Sequence, residues 1–176
     1  MTGPGSRATV RATLLADADV LIDFCESGDL EVLALVVRHV GPLCVVASIL
    51  DEVRQLEADD CVRLGIQIVE ATTEQQIRAA SIEARASFND RVCLVVCRDE
   101  GWTCVTNDRA LQGLCRGQGV PVRFGLGLLV DLAATRAISR SRAEGVARRI
   151  QTSNPLHINH RVIGRFLEAL DQSVDT

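Results

Sequence analysis

The chain has 176 residues, enough for one domain with a sizeable core, and 47% of them are hydrophobic, which excludes a natively unfolded chain. Its formal net charge is −4, it contains no Lys, and its aromatics are four Phe, one Trp and no Tyr, so neither a general cationic coat nor an aromatic platform for bases is expected. No apolar stretch approaches the length of a membrane span and the N-terminus lacks a signal-peptide core, so the expected location is cytoplasmic.

Residues 1–11 combine Gly, Pro, Ser and Arg without periodicity and read as a loose arm. Leu14-Leu15-Ala16 then leads into Asp17, after which the spacing through Val20-Leu21-Ile22 turns helical. The change predicts a buried parallel strand over about 12–17, followed by a helix to Glu26. Asp17 would stand at the carboxyl end of that strand, the edge where ligands bind in open α/β sheets. The plainer reading of Asp17 or Asp19 taken alone is a helix cap.

Ser27-Gly28-Asp29 breaks the first helix, and Leu30 to Val40 reads as a second, closed by Gly41-Pro42. Leu43 to Ala47 is a buried strand. From Ser48 a helix is predicted to about Ala58, with Ile49, Val53 and Leu56 on its apolar face. Glu52 falls on that same face, three residues after Ile49 and four before Leu56. A carboxylate on a buried stripe is costly unless it is paired, neutralised or bound to a cation.

Residues 66–70 predict a short strand at a sheet edge, and Glu74 to Ala86 a polar–apolar helix. Ser87-Phe88-Asn89-Asp90 opens the most apolar helix, Arg91 to about Glu100, with Ser87 and Asp90 in capping-box spacing. Thr103-Cys104-Val105 is a strand closed by Thr106-Asn107-Asp108, and a helix follows over 109–116. A last strand is predicted at 120–124 and a helix at 126–138. Two Arg-bearing helices, 139–151 and 159–170, then form a C-terminal extension. Strands alternating with helices predict a parallel sheet covered on both faces.

Seven Cys without a CxxC pair suit reduced core thiols. His157-Ile-Asn-His160 lacks the Cys partners of a zinc site. The charge is uneven: residues 1–101 carry −8 and residues 136–176 carry +3. An acidic body with a basic tail suits a metal site beside a polyanion contact. Asp17, Asp90 and Asp108 each begin a helix and Glu52 faces inward from another; the sequence shows these positions and not their convergence, but four carboxylates meeting at one sheet edge would repel one another, and a hard cation would relieve that.

These residues resemble the PIN domain family. The likeness runs through Leu14 to Asp23, then Val46 to Glu52, then Ser87-Phe88-Asn89-Asp90 and Thr106-Asn107-Asp108-Arg109, and covers about 14–130. The resemblance implies a three-layer α/β/α sandwich with a parallel sheet over 12–135, to which 136–176 adds C-terminal helices. It implies an acidic quartet of Asp17, Glu52, Asp90 and Asp108 holding Mg2+ or Mn2+, with Thr106 and Asn107 as supports. It implies a ribonuclease, and many bacterial members look like VapC-type toxins, with an antitoxin and a second copy of the chain as partners. The chain departs from the family at Ala18-Asp19, where a hydroxyl or amide residue is common; Asp19 adds charge beside the metal. Arg148 and Arg149 are assigned to RNA backbone, and Arg161 and Arg165 share a helix face.

Two other readings compete. Asp17-Ala18-Asp19 resembles the opening of haloacid-dehalogenase-like phosphatases, with Asp17 as nucleophile and Asp19 as acid/base, but the Lys expected on the phosphate is missing, as it is for a receiver domain. A non-catalytic PIN-like domain that only binds a partner is the third.

Overall fold

The computed structural model describes residues 11–174. The arm expected at 1–11 lies outside these residues apart from Arg11, whose guanidinium donates to the carbonyl of Arg38 at 2.7 Å.

Five parallel strands form one sheet in the order β3-β2-β1-β4-β5. They are β1 (Leu14–Ala16), β2 (Leu43–Val46), β3 (Gln67–Val69), β4 (Thr103–Val105) and β5 (Val122–Arg123). In register, Leu14 faces Leu43 on one side and Thr103 on the other. Every residue of β1 and β2 is buried, as apolar runs without alternation require of strands covered on both faces. The chain builds outward from β1 to β3, then returns to place β4 on the other side of β1. The gap between the carboxyl ends of β1 and β4 is therefore the topological switch point, where an open α/β sheet forms its ligand crevice.

The helices are α1 (Ala18–Glu26), α2 (Glu31–His39), α3 (Ala47–Leu50), α4 (Ala58–Leu64), α5 (Thr73–Ala80), α6 (Phe88–Glu100), α7 (Arg109–Gly117), α8 (Gly125–Ala134), α9 (Arg140–Ser153) and α10 (His160–Val174). α6 packs against α5 and α7; α8 and α9 pack with each other and with α10, and α9 also meets α1. The result is the α/β/α sandwich. The helices expected as an extension share its core: Val146, Ile150, Ile163 and Leu170 belong to the same apolar cluster as Leu15, Leu94 and Leu128.

The predicted helix over 48–58 is not continuous. α3 stops at Leu50, turns follow, and α4 starts at Ala58. Ile49, Val53 and Leu56 are still buried, because turns bring in the same residues. Glu52, however, is exposed and not on a buried stripe. Ser48 lies inside α3 and caps nothing; Val46 is the residue before the helix. The helix predicted to Ala86 ends at Ala80, and the last strand contracts to two residues.

All seven Cys are free thiols, and every one but Cys25 is buried. Burial pushes the Cys44 thiol up to about 11, so it packs as a neutral apolar group. The sulfur atoms of Cys93, Cys97 and Cys104 meet within 4.8 Å of one another between α6 and β4, all without solvent contact.

Candidate active site

Asp17 follows β1 and is the N-cap of α1, its Oδ1 accepting from the Ala18 N–H at 2.8 Å. Its Oδ2 accepts from the Thr106 hydroxyl at 2.9 Å. Thr106 follows β4, is fully buried, and its Oγ1 also accepts the Asp108 N–H at 3.0 Å. Adjacent strands thus deliver Asp17 and Thr106 to the switch point, and one hydroxyl ties Asp17 to the backbone of Asp108. Asp108 is in turn the N-cap of α7, with Oδ1 accepting from the Leu111 N–H at 2.7 Å.

Asp90 closes the capping box of α6: Ser87 N–H donates to its Oδ2 at 2.8 Å and Asp90 N–H donates to Ser87 Oγ at 3.0 Å. Capping and site membership are therefore compatible in Asp17, Asp90 and Asp108. The cap fixes the carboxylate, the positive helix end favours its charge, and a carboxylate has more lone pairs than a cap consumes. Glu52 reaches the group from outside. Asn89 donates to Glu52 Oε1 at 2.6 Å and to the Ser48 carbonyl at 3.2 Å, while Ser48 Oγ donates to Asn89 Oδ1 at 2.9 Å. This latch holds the turn after α3 against the first turn of α6, next to Asp90.

The acids act on one another electrostatically. Asp17 is 6% exposed, and burial pushes its carboxyl up to about 7; the Thr106 hydrogen bond pulls it down, while Asp90 and Asp19 push it up further. Asp19 is an exposed residue whose carboxyl is nevertheless raised, first by loss of water on its site side and then by Asp108, Asp90 and Glu52, against the pull of His157. Asp17, Asp19, Glu52, Asp90 and Asp108 are thus one electrostatic group.

Asp23 was not among the residues singled out from the sequence. It is 2% exposed, one turn beyond Asp19 on α1. Asn107 donates to its Oδ2 at 2.9 Å and Asn154 to its Oδ1 at 2.8 Å. Burial raises its carboxyl to about 6 despite both bonds. Asn107 also accepts the Gly125 N–H at 3.0 Å, and a Cβ at Gly125 would sit 3.0 Å from the Asn107 amide nitrogen. Asn107 therefore links α1, the β4 turn and the start of α8. The available signal was the spacing of Asp23 four after Asp19 on a helix whose neighbours are apolar.

Arg148 and Arg149 are not brought to the acids. Arg148 pairs with Glu144 at 2.6 Å. Arg149 donates to the carbonyl of Ser27, the C-cap of α1, at 2.5 Å. The acids gather at the opposite end of that helix, about 13 Å away at 1.5 Å per residue.

Among the described residues no three carboxylates bring an oxygen each within 4.8 Å of one another. The donor set is all hard oxygen and open, which fits a hydrated Mg2+ or Mn2+ held by one or two carboxylates and its own waters better than a closed cage.

The parallel α/β/α sandwich with Asp17, Asp90 and Asp108 each capping a helix places the chain among α/β proteins whose acids gather at the carboxyl edge of the sheet. The PIN domain family model matches residues 9–116, and the chain belongs to that family, whose members are in general metal-dependent nucleases. No curated protein and no solved structure matches the chain.

Proposed function

We propose that the chain is an endoribonuclease dependent on Mg2+ or Mn2+, acting as the toxin of a toxin–antitoxin pair in the cytoplasm. The observation that carries the nuclease reading is the buried Asp17 at the switch point, tied through the Thr106 hydroxyl to the backbone of Asp108. Such a group is tolerated in a native fold where a bound cation offsets its charge.

A bound divalent ion supplies positive charge that neutralises the phosphodiester and makes water more acidic. Asp17 and Asp108 would hold the ion, and Thr106 ties the carboxylate of Asp17 to the backbone of Asp108 by one hydroxyl. Asp90 completes the set from α6. Glu52 takes a proton from water or orients it in this reading, which its exposure and its bond from Asn89 support. The phosphatase reading is not favoured, because the chain has no Lys to hold the phosphate and its residues 9–116 match the PIN family.

The test is cleavage of a 5′-labelled single-stranded RNA by the purified chain with Mn2+, with Mn2+ plus chelator, and by Asp90→Asn. Cleavage in the first sample alone supports the reading; cleavage that survives both chelator and Asp90→Asn overturns it. Growth arrest on expression that depends on Asp90 tests the toxin role separately.

A further inference from the structure

A cavity of about 530 Å3 opens beside the acidic group, between α7, α8 and α10. Asn107 and Arg109, the residues on either side of Asp108, form its inner end. Arg109, Gln112 and Arg116 line it from α7 at spacings of three and four, one helix face. Arg165 and Phe166 line it from α10, and Phe124 and His157 from the loops before α8 and α10. The wall supplied by α10 comes from residues beyond the span that matches the PIN family.

The cavity is lined mostly by apolar side chains, Leu126, Val130, Ile158 and Val162 among them, and its formally charged residues are Arg109, Arg116 and Arg165. No Asp or Glu lines it, in a chain of net charge −4. Some arginines elsewhere are held by carboxylates, Arg63 by Glu31, Arg78 by Asp99, Arg123 by Asp131, Arg140 by Asp171 and Arg142 by Asp29, while others, such as Arg38 and Arg161, have no such partner among the described residues. Arg109, Arg116 and Arg165 have no carboxylate partner among the described residues, and all three are exposed. Phe124 leaves 45% of its surface open in the same place.

From this we propose that the cavity is a nucleotide subsite for the RNA strand next to the cleaved bond. Arg116 and Arg165 hold backbone phosphate and Phe124 receives a base. The proposal rests on the nuclease reading for the identity of the strand, but not for the binding itself. Guanidinium groups suit phosphate by their forked geometry, and a base stacks on an aromatic face whatever its sequence. The volume lies in the range of about 300–1,000 Å3 that encloses small organic ligands. The basic C-terminal segment thus contacts RNA through Arg165 at this groove, and not through Arg148 and Arg149 at the far end of α1.

The experiment uses the full chain and an eight-nucleotide fluorescent RNA of mixed sequence. Binding is followed by anisotropy from 50 to 300 mM salt, in an Asp17→Asn background that keeps the RNA whole. The double variant Arg116→Ala/Arg165→Ala should weaken binding by roughly tenfold or more and flatten the salt dependence by more than one unit of slope. Phe124→Ala should weaken it by roughly fivefold or more with the salt slope unchanged. In the background that retains Asp17, the double variant should raise KM for RNA and leave kcat and the Mn2+-induced rise in Tm as they were. RNA cut with unchanged KM and bound with unchanged affinity by the double variant overturns the subsite and leaves the nuclease reading standing. RNA bound through these arginines but never cut supports the subsite and overturns the nuclease reading. Loss of affinity for an acidic helical peptide, with RNA affinity intact, assigns the groove to a protein partner and overturns the proposal.

Discussion

The Thr106 hydroxyl lies 2.9 Å from Asp17 Oδ2, across 89 positions of sequence, and accepts the Asp108 N–H at 3.0 Å on its other side. β1 and β4 are neighbours in the sheet, so the residues that follow them meet at the switch point. Thr106→Val keeps the shape and removes the hydroxyl. It leaves Asp17 Oδ2 and the Asp108 N–H without their partner, a loss of about 1–3 kcal/mol for buried polar groups. We expect a lower denaturation midpoint and weaker Mn2+ binding, with Thr106→Ser retaining most of both. Equal Mn2+ affinity in Thr106→Val and the parent would remove Thr106 from the site's supports.

The raised carboxyls give a pH dependence with a definite sign. Asp17 at about 7 and Asp23 at about 6 both lie above the unfolded value of 3.8, with burial the leading cause in each. The native state therefore binds these protons more tightly, and their contribution to stability is full below about pH 4 and is lost as pH rises through 6 and 7. Asp29, lowered by its hydrogen bond from Arg142, and Asp99, lowered by that from Arg78, act in the opposite sense at acid pH, so the two windows separate. In chelator, Tm should fall between pH 5 and 8, and Asp17→Asn should flatten that fall. Mn2+ affinity should rise by up to roughly tenfold per pH unit below 7 and then level, because the metal takes the ionised form.

Asp17 and Asp23 are both buried, yet their amide variants should behave differently. Asp23 accepts one amide from Asn107 and one from Asn154. Asp23→Asn sets an NH2 group against one of those donors, which should cost about 1–3 kcal/mol and loosen the link to α9. Asp17→Asn removes a charge that burial and two acidic neighbours disfavour, so metal-free stability should hold or rise. Urea melts of the two variants in chelator separate them; equal destabilisation would mean that Asp17 is kept for its hydrogen bonds with Ala18 and Thr106 and not for a cation.

The parallel sheet, the strand ends and the three Asp positions were legible because each is a local signal: an apolar run, then an acid, then helical spacing. Glu52 is expected on a buried stripe and is instead exposed, held by Asn89. The spacing of Ile49, Val53 and Leu56 is met equally by a helix and by turns that bury the same residues, and sequence period alone does not separate them. Asp23 was hidden because its partners, Asn107 and Asn154, are 84 and 131 positions away. Arg148 and Arg149 looked free because clustered charge in sequence says nothing of Ser27 and Glu144 as partners. The groove was invisible for the same reason, being made by three helices and two loops.

The arginines on α9 give a further contrast. Arg142 donates to both oxygens of Asp29, at 2.8 and 2.9 Å, and Arg149 reaches Ser27 nearby. These contacts staple α9 to the end of α1. Arg142→Ala should lower stability by about 1 kcal/mol or less, as for exposed pairs, and leave RNA cleavage intact. A large loss of kcat in Arg142→Ala at normal stability would require the far end of α1 to take part in the reaction.

The central claim is that Asp17, Asp90 and Asp108 share a divalent cation. The most direct measurement is the thermal midpoint of the parent chain and of Asp17→Asn, each titrated with Mn2+ at pH 7.5. A ligand bound only by the native state at 100 times its Kd adds about 2.7 kcal/mol, several degrees for a chain of this size. The account predicts a saturable rise in Tm for the parent and none for Asp17→Asn. An unchanged midpoint at millimolar Mn2+, or the same rise in both proteins, would contradict it.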